Sequence, residues 1–221
     1  MTPEHVAVTA TFPSPGPAPR GVAWDGVALW YTDGTTRTLY RIDAWQGHVR
    51  VAFPVDADPR GLAWDGQHLW LADNQTKTLR QIDPASGQVG MVIPLSCDAY
   101  LGGTAWTGQT LLQGHDDGVV RAIARASGHS GAAHRVGEAI CRLAWAEGDV
   151  WYADDGRPAL HQISAQTWED VGCVALHGDA AGLCGDGTHV WYADAAACQL
   201  LRLRVSSRCP RQGSSSISTW T

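Results

Sequence analysis

Tryptophan recurs in this chain at two slots set about 40 residues apart, and that period limits the fold more than any other feature. The first slot reads Trp24, Trp64, Trp106, Trp145 and Gly185, at spacings of 40, 42, 39 and 40 residues. The second, six residues later, reads Trp30, Trp70, Leu112, Trp151 and Trp191. The first copy is PRGVAWDGVALWYTDGTTRTLYRID from Pro19, and the second is PRGLAWDGQHLWLADNQTKTLRQID from Pro59. The other three start at Leu101, Ile140 and Ala180. The bias of eleven Trp against two Phe has its origin in these slots. Five in-phase copies are the signature of a repeat architecture.

Each copy reads as four short strands. In the second copy GLAW is strand a, HLWLAD strand b, TLRQID strand c and GQVGMVIPL strand d. DG and SG pairs between β-rich runs are hairpin signals. No segment holds a helical period over any length. Four antiparallel strands per copy make a propeller blade, and a solenoid would need capping repeats that the sequence lacks. The fifth copy stops after strand c, near Val205. His5 to Pro13, HVAVTATFP, matches the strand-d segment at Val51 to Val55 and then runs into Pro19-Arg20, as that segment runs into Pro59-Arg60. The expectation is an all-β, five-bladed β-propeller of four-stranded antiparallel blades, its ring closed by the N-terminal strand, which removes the open sheet edges. It occupies residues 1–205 as one domain. Residues 206–221 are Ser-rich and fall outside the repeat, as a disordered tail or a junction remnant.

Bulk properties exclude several classes. The net charge is −6 and no Lys/Arg run occurs, which argues against a nucleic-acid partner. No apolar run reaches the ~18 residues of a membrane helix. Met1 to His5 lacks the basic and apolar regions of a signal peptide, so the cytoplasm is the expected location. A monomer is expected. The six cysteines, Cys97, Cys141, Cys173, Cys184, Cys198 and Cys209, show no CxxC spacing and read as reduced thiols.

The pattern P-x-G-(L/V)-A-W-D-G, followed by (L/V)-W-(Y/L)-(A/T)-D and L-x-x-I-D, resembles the propellers with NHL-type repeats, the virginiamycin B lyase-like and gluconolactonase-like proteins and the glutamine cyclotransferases. The resemblance covers residues 5–205. It implies a propeller and an enzyme-rich neighbourhood, and it is weak for activity because such folds host many functions. Enzymes of this group place functional residues just before the strand-a glycine. Gluconolactonase-like proteins carry Glu, Asn and Asp there for a divalent metal, and virginiamycin B lyase-like proteins carry His in some blades. Here the position reads Arg20, Arg60, Gly102, Cys141 and Ala181, so the family's metal site is not carried over.

Residues before strand a should face the channel mouth. Arg20 and Arg60 come from adjacent blades and would bind a carboxylate or phosphate, or each pairs with a loop acid such as Asp56 or Asp58. The last residue of strand b reads Asp33, Asp73, His115, Asp154 and Asp194. Aspartate in this slot is read as holding the next loop by backbone hydrogen bonds. Two departures fall on neighbouring blades: His115, followed by Asp116 and Asp117, and Cys141 where blades one and two have Arg. Cys141 could be a nucleophile with His115 as its base, oriented by Asp154 or Asp117 and assisted by the arginines. The alternative is a packing cysteine in a drifted repeat. Tyr100 would line the mouth and stack on a ligand. The loop acids Asp58, Asp98, Glu138 and Asp179 could ring a divalent metal in the channel, or stand solvated. Cys97, Cys141 and His115 could hold a softer metal. His68 and His189 share an a–b turn slot on the opposite face and read as turn residues.

Two functions fit these residues. One is a hydrolase acting on an ester, lactone or phosphoester of a small molecule at the mouth. The other is a non-catalytic propeller that binds a ligand or protein on the same face.

Overall fold

A computed structural model describes residues 7–95, 98–154, 159–176 and 178–204. Twenty strands form five antiparallel four-stranded sheets, and no helix forms among the described residues. β1 spans Ala7–Pro13. Blade one holds β2 (Pro19–Trp24), β3 (Ala28–Asp33), β4 (Thr38–Asp43) and β5 (Val49–Pro54). Blade two holds β6 (Pro59–Trp64), β7 (Leu69–Asp73), β8 (Thr78–Ile82) and β9 (Val89–Pro94). Blade three holds β10 (Leu101–Trp106), β11 (Leu111–His115), β12 (Val119–Ile123) and β13 (Ser130–Arg135). Blade four holds β14 (Ile140–Ala146), β15 (Asp149–Asp154), β16 (Ala159–Ile163) and β17 (Asp170–Ala175). Blade five takes β18 (Ala180–Gly185), β19 (His189–Asp194) and β20 (Gln199–Arg204), with β1 as its outer strand. β1 pairs antiparallel with β20, from Ala7 opposite Arg204 to Pro13 opposite Gln199. The first and last described strands thus share one sheet, as the His5–Pro13 match predicts.

Burial follows the strand period. The b strands are buried along nearly their whole length and the d strands are largely exposed. The second tryptophan slot supplies the cement between blades. Trp30 packs into blade two with Leu62 and Leu71, Trp70 into blade three with Leu101 and Leu111, and Trp191 into blade one with Val22 and Leu29. Each indole is at most 1% exposed, and burying one contributes on the order of 4–6 kcal/mol from its area. Leu112 leaves less volume between blades three and four, and Trp145 and Trp168 pack against that seam.

The five a strands surround the axis at close range. A Cβ on Gly61 would fall 2.3 Å from Thr104 Oγ1, and one on Gly182 would fall 1.9 Å from the Arg20 carbonyl oxygen. That approach is the physical reason for glycine in the P-x-G element. Blade four has Arg142 in this slot.

Candidate functional site

Every a–b pairing carries a β-bulge at the same place. The register shifts between Pro19 and Val22, Pro59 and Leu62, Leu101 and Thr104, Ile140 and Arg142, and Ala180 and Gly182. A bulge re-aims side chains at a sheet end. Here it spans the residue before the strand-a glycine in each blade. Those five residues, Arg20, Arg60, Gly102, Cys141 and Ala181, line one cavity of about 350 Å³ at the channel mouth. Tyr100, Asp116 and Arg142 also line it.

Three guanidiniums therefore face one space. Arg60 pairs with Asp58 at 3.2 Å, and Asp58 also accepts a bond from Asn74. Among the described residues no carboxylate pairs with Arg20, whose Nη1 donates to the Pro19 carbonyl. The Nε–H groups of both Arg20 and Arg60 are buried without an acceptor. Burial holds the Arg60 guanidinium below its ordinary pKa. The Asp58 carboxylate opposes this, while repulsion from Arg20 and Arg142 adds to it. Arg60 stays charged, because no ordinary shift brings a guanidinium near neutral pH. Tyr100 lies under this cluster, 4.5 Å from the Arg60 guanidinium and 5.2 Å from Lys77 Nζ, measured to its ring centre. Asp116 fixes it by accepting the Tyr100 backbone N–H.

Arg20, Arg60, Tyr100 and Cys141 thus share a wall. His115 and Asp154 do not belong to it. His115 is 1% exposed and lines a separate lateral cleft between blades two and three. Neither of its ring nitrogens has a hydrogen-bond partner, so no bond joins it to Cys141. Burial, with repulsion from Arg121, pushes its pKa down to about 4, which makes it a weak base. Asp154 ends β15 opposite Ile140. Asp117 accepts the Val119 N–H and pairs with Arg121 at 2.7 Å.

The metal expectations find no donor set among the described residues. No three His, Cys, Asp or Glu side chains converge there. Asp58 is engaged by Arg60, and Asp98, Glu138 and Asp179 are exposed. The guanidiniums at the channel mouth repel a divalent cation, so the metal of gluconolactonase-like proteins does not fit this site. Cys97 lies outside the described residues. Among the described residues Cys141, Cys173, Cys184 and Cys198 form no disulfide, and burial pushes the Cys184 thiol up.

The strand-b aspartates hold their loops as the sequence predicts. Asp33 accepts the N–H groups of Ala18, Thr35 and Thr36, Asp73 those of Asp58 and Gln75, and Asp194 those of Ala196 and Ala197. Two features escaped sequence reasoning. Arg142 is one, and its signal was a charged residue in a slot that reads glycine in the other four copies. The aspartate of the DG turn is the other. Asp25, Asp65 and Asp186 accept two turn N–H groups each and also the indole N–H of Trp30, Trp70 and Trp191. His68 and His189 donate their backbone N–H to these same turns.

This architecture defines a five-bladed β-propeller with an arginine-lined mouth. No protein-family model matches the chain, and no curated protein sequence does. Among solved structures, the glutaminyl cyclase of Myxococcus xanthus superposes with a TM-score of 0.78 at 15% identity, over 90% of this chain and 95% of that one. A chain of a mitotic checkpoint complex superposes with a TM-score of 0.60 at 12% identity, over 93% and 94%. At these identities the likeness is one of fold. It does not extend to membership of the NHL-type or gluconolactonase-like group.

Proposed function

We propose that the channel mouth binds a small anionic molecule carrying a carboxylate or phosphate group. The observation behind this reading is the guanidinium cluster: Arg20, Arg60 and Arg142 line one cavity, and two buried Nε–H donors there lack an acceptor. An anion would accept from those donors and relieve the mutual repulsion of the three charges. Tyr100 offers a rigid wall beside them. Isothermal titration with inorganic phosphate and with succinate tests it. A Kd no weaker than about 1 mM is expected for one of them. Arg20→Gln and Arg60→Gln should each weaken binding at least tenfold, since a hydrogen bond to a charged group is worth about 1.5–3 kcal/mol. Titrations in which neither anion binds would sink the reading.

A second reading is a thiol-dependent hydrolase at the same place, acting on an ester, lactone or phosphoester. Its supporting observation is that Cys141 lines the cavity with the guanidiniums, which would receive charge developing on an acyl or phosphoryl oxygen. The thiol proton would then pass to water or substrate, because His115 lines a different cleft. Turnover of small esters lost in Cys141→Ser supports it, and turnover unchanged in that variant removes it.

A further inference from the structure

The lateral cleft between blades two and three plays no part in the mouth. Its volume is about 500 Å³, with Ile123, Ser127, Gly128 and His129 among its walls and His115 at its floor. The two preceding seams are closed differently. Strand d of one blade lays an aromatic ring on the c–d turn of the next: Phe12 on Gly47 and Phe53 on Gly87, where an added Cβ would meet the ring at 2.6 and 2.5 Å. Between blades two and three the equivalent residue is Ile93, which reaches the Gly128 turn with a methyl group. An aliphatic side chain covers less of the seam than a phenyl ring.

The floor of the cleft is also unusual. Asp33, Asp73 and Asp194 occupy the His115 slot in other blades and hold the b–c loop. In blade three that task falls to Asp116, which accepts the Tyr100 N–H at 2.8 Å, and to Asp117, which accepts the Val119 N–H at 3.1 Å. His115 is relieved of the structural role and keeps both nitrogens unpartnered at 1% exposure. An unsatisfied buried polar group is costly and rare in a protein interior. Its burial also keeps the imidazole neutral, so the ring offers one N–H donor and one bare acceptor. The charges nearest His115 are balanced, with Arg121 paired to Asp117 and Lys77 and Asp116 acting with opposite signs. Arg121 is the guanidinium on the cleft wall, so a cation would meet its charge, and an anion approaching it would meet the Asp117 carboxylate that already holds it at 2.7 Å.

We propose that this cleft is a second binding site, for a small uncharged molecule with an apolar body and a hydroxyl head. The body would lie against Ile123 and Gly128, and the head would bond a ring nitrogen of His115. A hydroxyl both donates and accepts, so it suits either tautomer. The matched series benzyl alcohol, benzoate and benzylamine tests charge preference on one ring. The readout is the ¹⁵N imidazole resonances of the full chain. Benzyl alcohol should shift the His115 signals saturably, with benzoate and benzylamine at least about tenfold weaker. Ser130→Trp, at the exposed rim, should weaken benzyl alcohol at least about tenfold and leave phosphate binding at the mouth unchanged. His115→Phe should abolish the benzyl alcohol response, read by ligand-detected saturation transfer. His115 signals that do not move with benzyl alcohol, or equal binding of the charged analogues, overturn the proposal. Equal binding in Ser130→Trp overturns it as well, even if His115→Phe fails to fold.

Discussion

At the turn end of blade two, Asp65 gives its carboxylate wholly to the protein. It accepts the N–H groups of Gln67 and His68, the Trp70 indole at 2.7 Å and Arg125 at 2.8 Å. At the mouth end of the strand that leads into this turn, five residues away, Arg60 has a buried Nε–H without an acceptor and stands beside two like charges. Blade one shows the same contrast between Asp25 and Arg20, whose Nε–H is likewise buried and unpaired. The turn end is saturated and the mouth end is not. Polar groups satisfied inside the fold serve stability, whereas the leftover donors are the ones that the proposed anion would use. The contrast separates two roles that one repeat pattern writes side by side.

The largest expected effect lies at the saturated end. Asp65→Ala strands the buried Trp70 N–H, the Arg125 guanidinium and two turn donors. It should cost about 3 kcal/mol, a fall in Tm of roughly 6–12 °C for a chain of this size, with phosphate binding intact. Acid should reproduce part of this loss. Burial raises the carboxyl pKa of Asp25, Asp65 and Asp186, but turn hydrogen bonds and a nearby arginine, joined by the indole at Asp25 and Asp65, outweigh it and leave each below 3.8. Each binds its proton more weakly folded than unfolded. Their stabilisation is therefore present above the ordinary value of 3.8 and lost as pH falls through the lowered folded values. Melting curves from pH 6 downward should show wild type losing stability and Asp65→Ala losing less.

Blade four breaks the turn rule and gives a smaller test of the opposite sign. Ala146 stands where the other turns carry Asp or Thr, and Glu147 and Gly148 both take positive φ, as a two-residue hairpin turn requires. Trp151 is buried at 1% exposure and its indole N–H has no acceptor. Ala146→Asp with Glu147→Gly restores the consensus turn and should gain about 1 kcal/mol by thermal melting. Arg60→Gln should have the smallest effect on stability. Removing one of three like charges offsets the lost Asp58 pair, so the change should stay within about 0.5 kcal/mol.

Sequence periodicity carried the architecture because the tryptophan slots do the packing: Trp30, Trp70 and Trp191 each fill the next blade. The mouth residues Arg20, Arg60 and Cys141 were legible for the same reason, since register within a repeat fixes which position meets the axis. Direction was harder to read. The strand-b slot ends at the mouth face, but its side chains turn back to hold the loop, and His115 follows that direction away from Cys141. Arg142 was not legible because its break lies in the glycine slot, which marks close approach of the strands rather than a wall of the mouth. The indole-to-aspartate bonds join residues five apart across a hairpin, and a DG pair signals only the turn.

The central claim is that the mouth donors await an anion, and the Nε–H resonances of Arg20 and Arg60 report on it most directly. Phosphate added to ¹⁵N-labelled protein should move both signals downfield together along one saturable curve, while the Trp70 indole signal at the turn end stays fixed. Arginine signals that remain still while phosphate is raised well past 1 mM, or an indole that moves with them, would contradict the account.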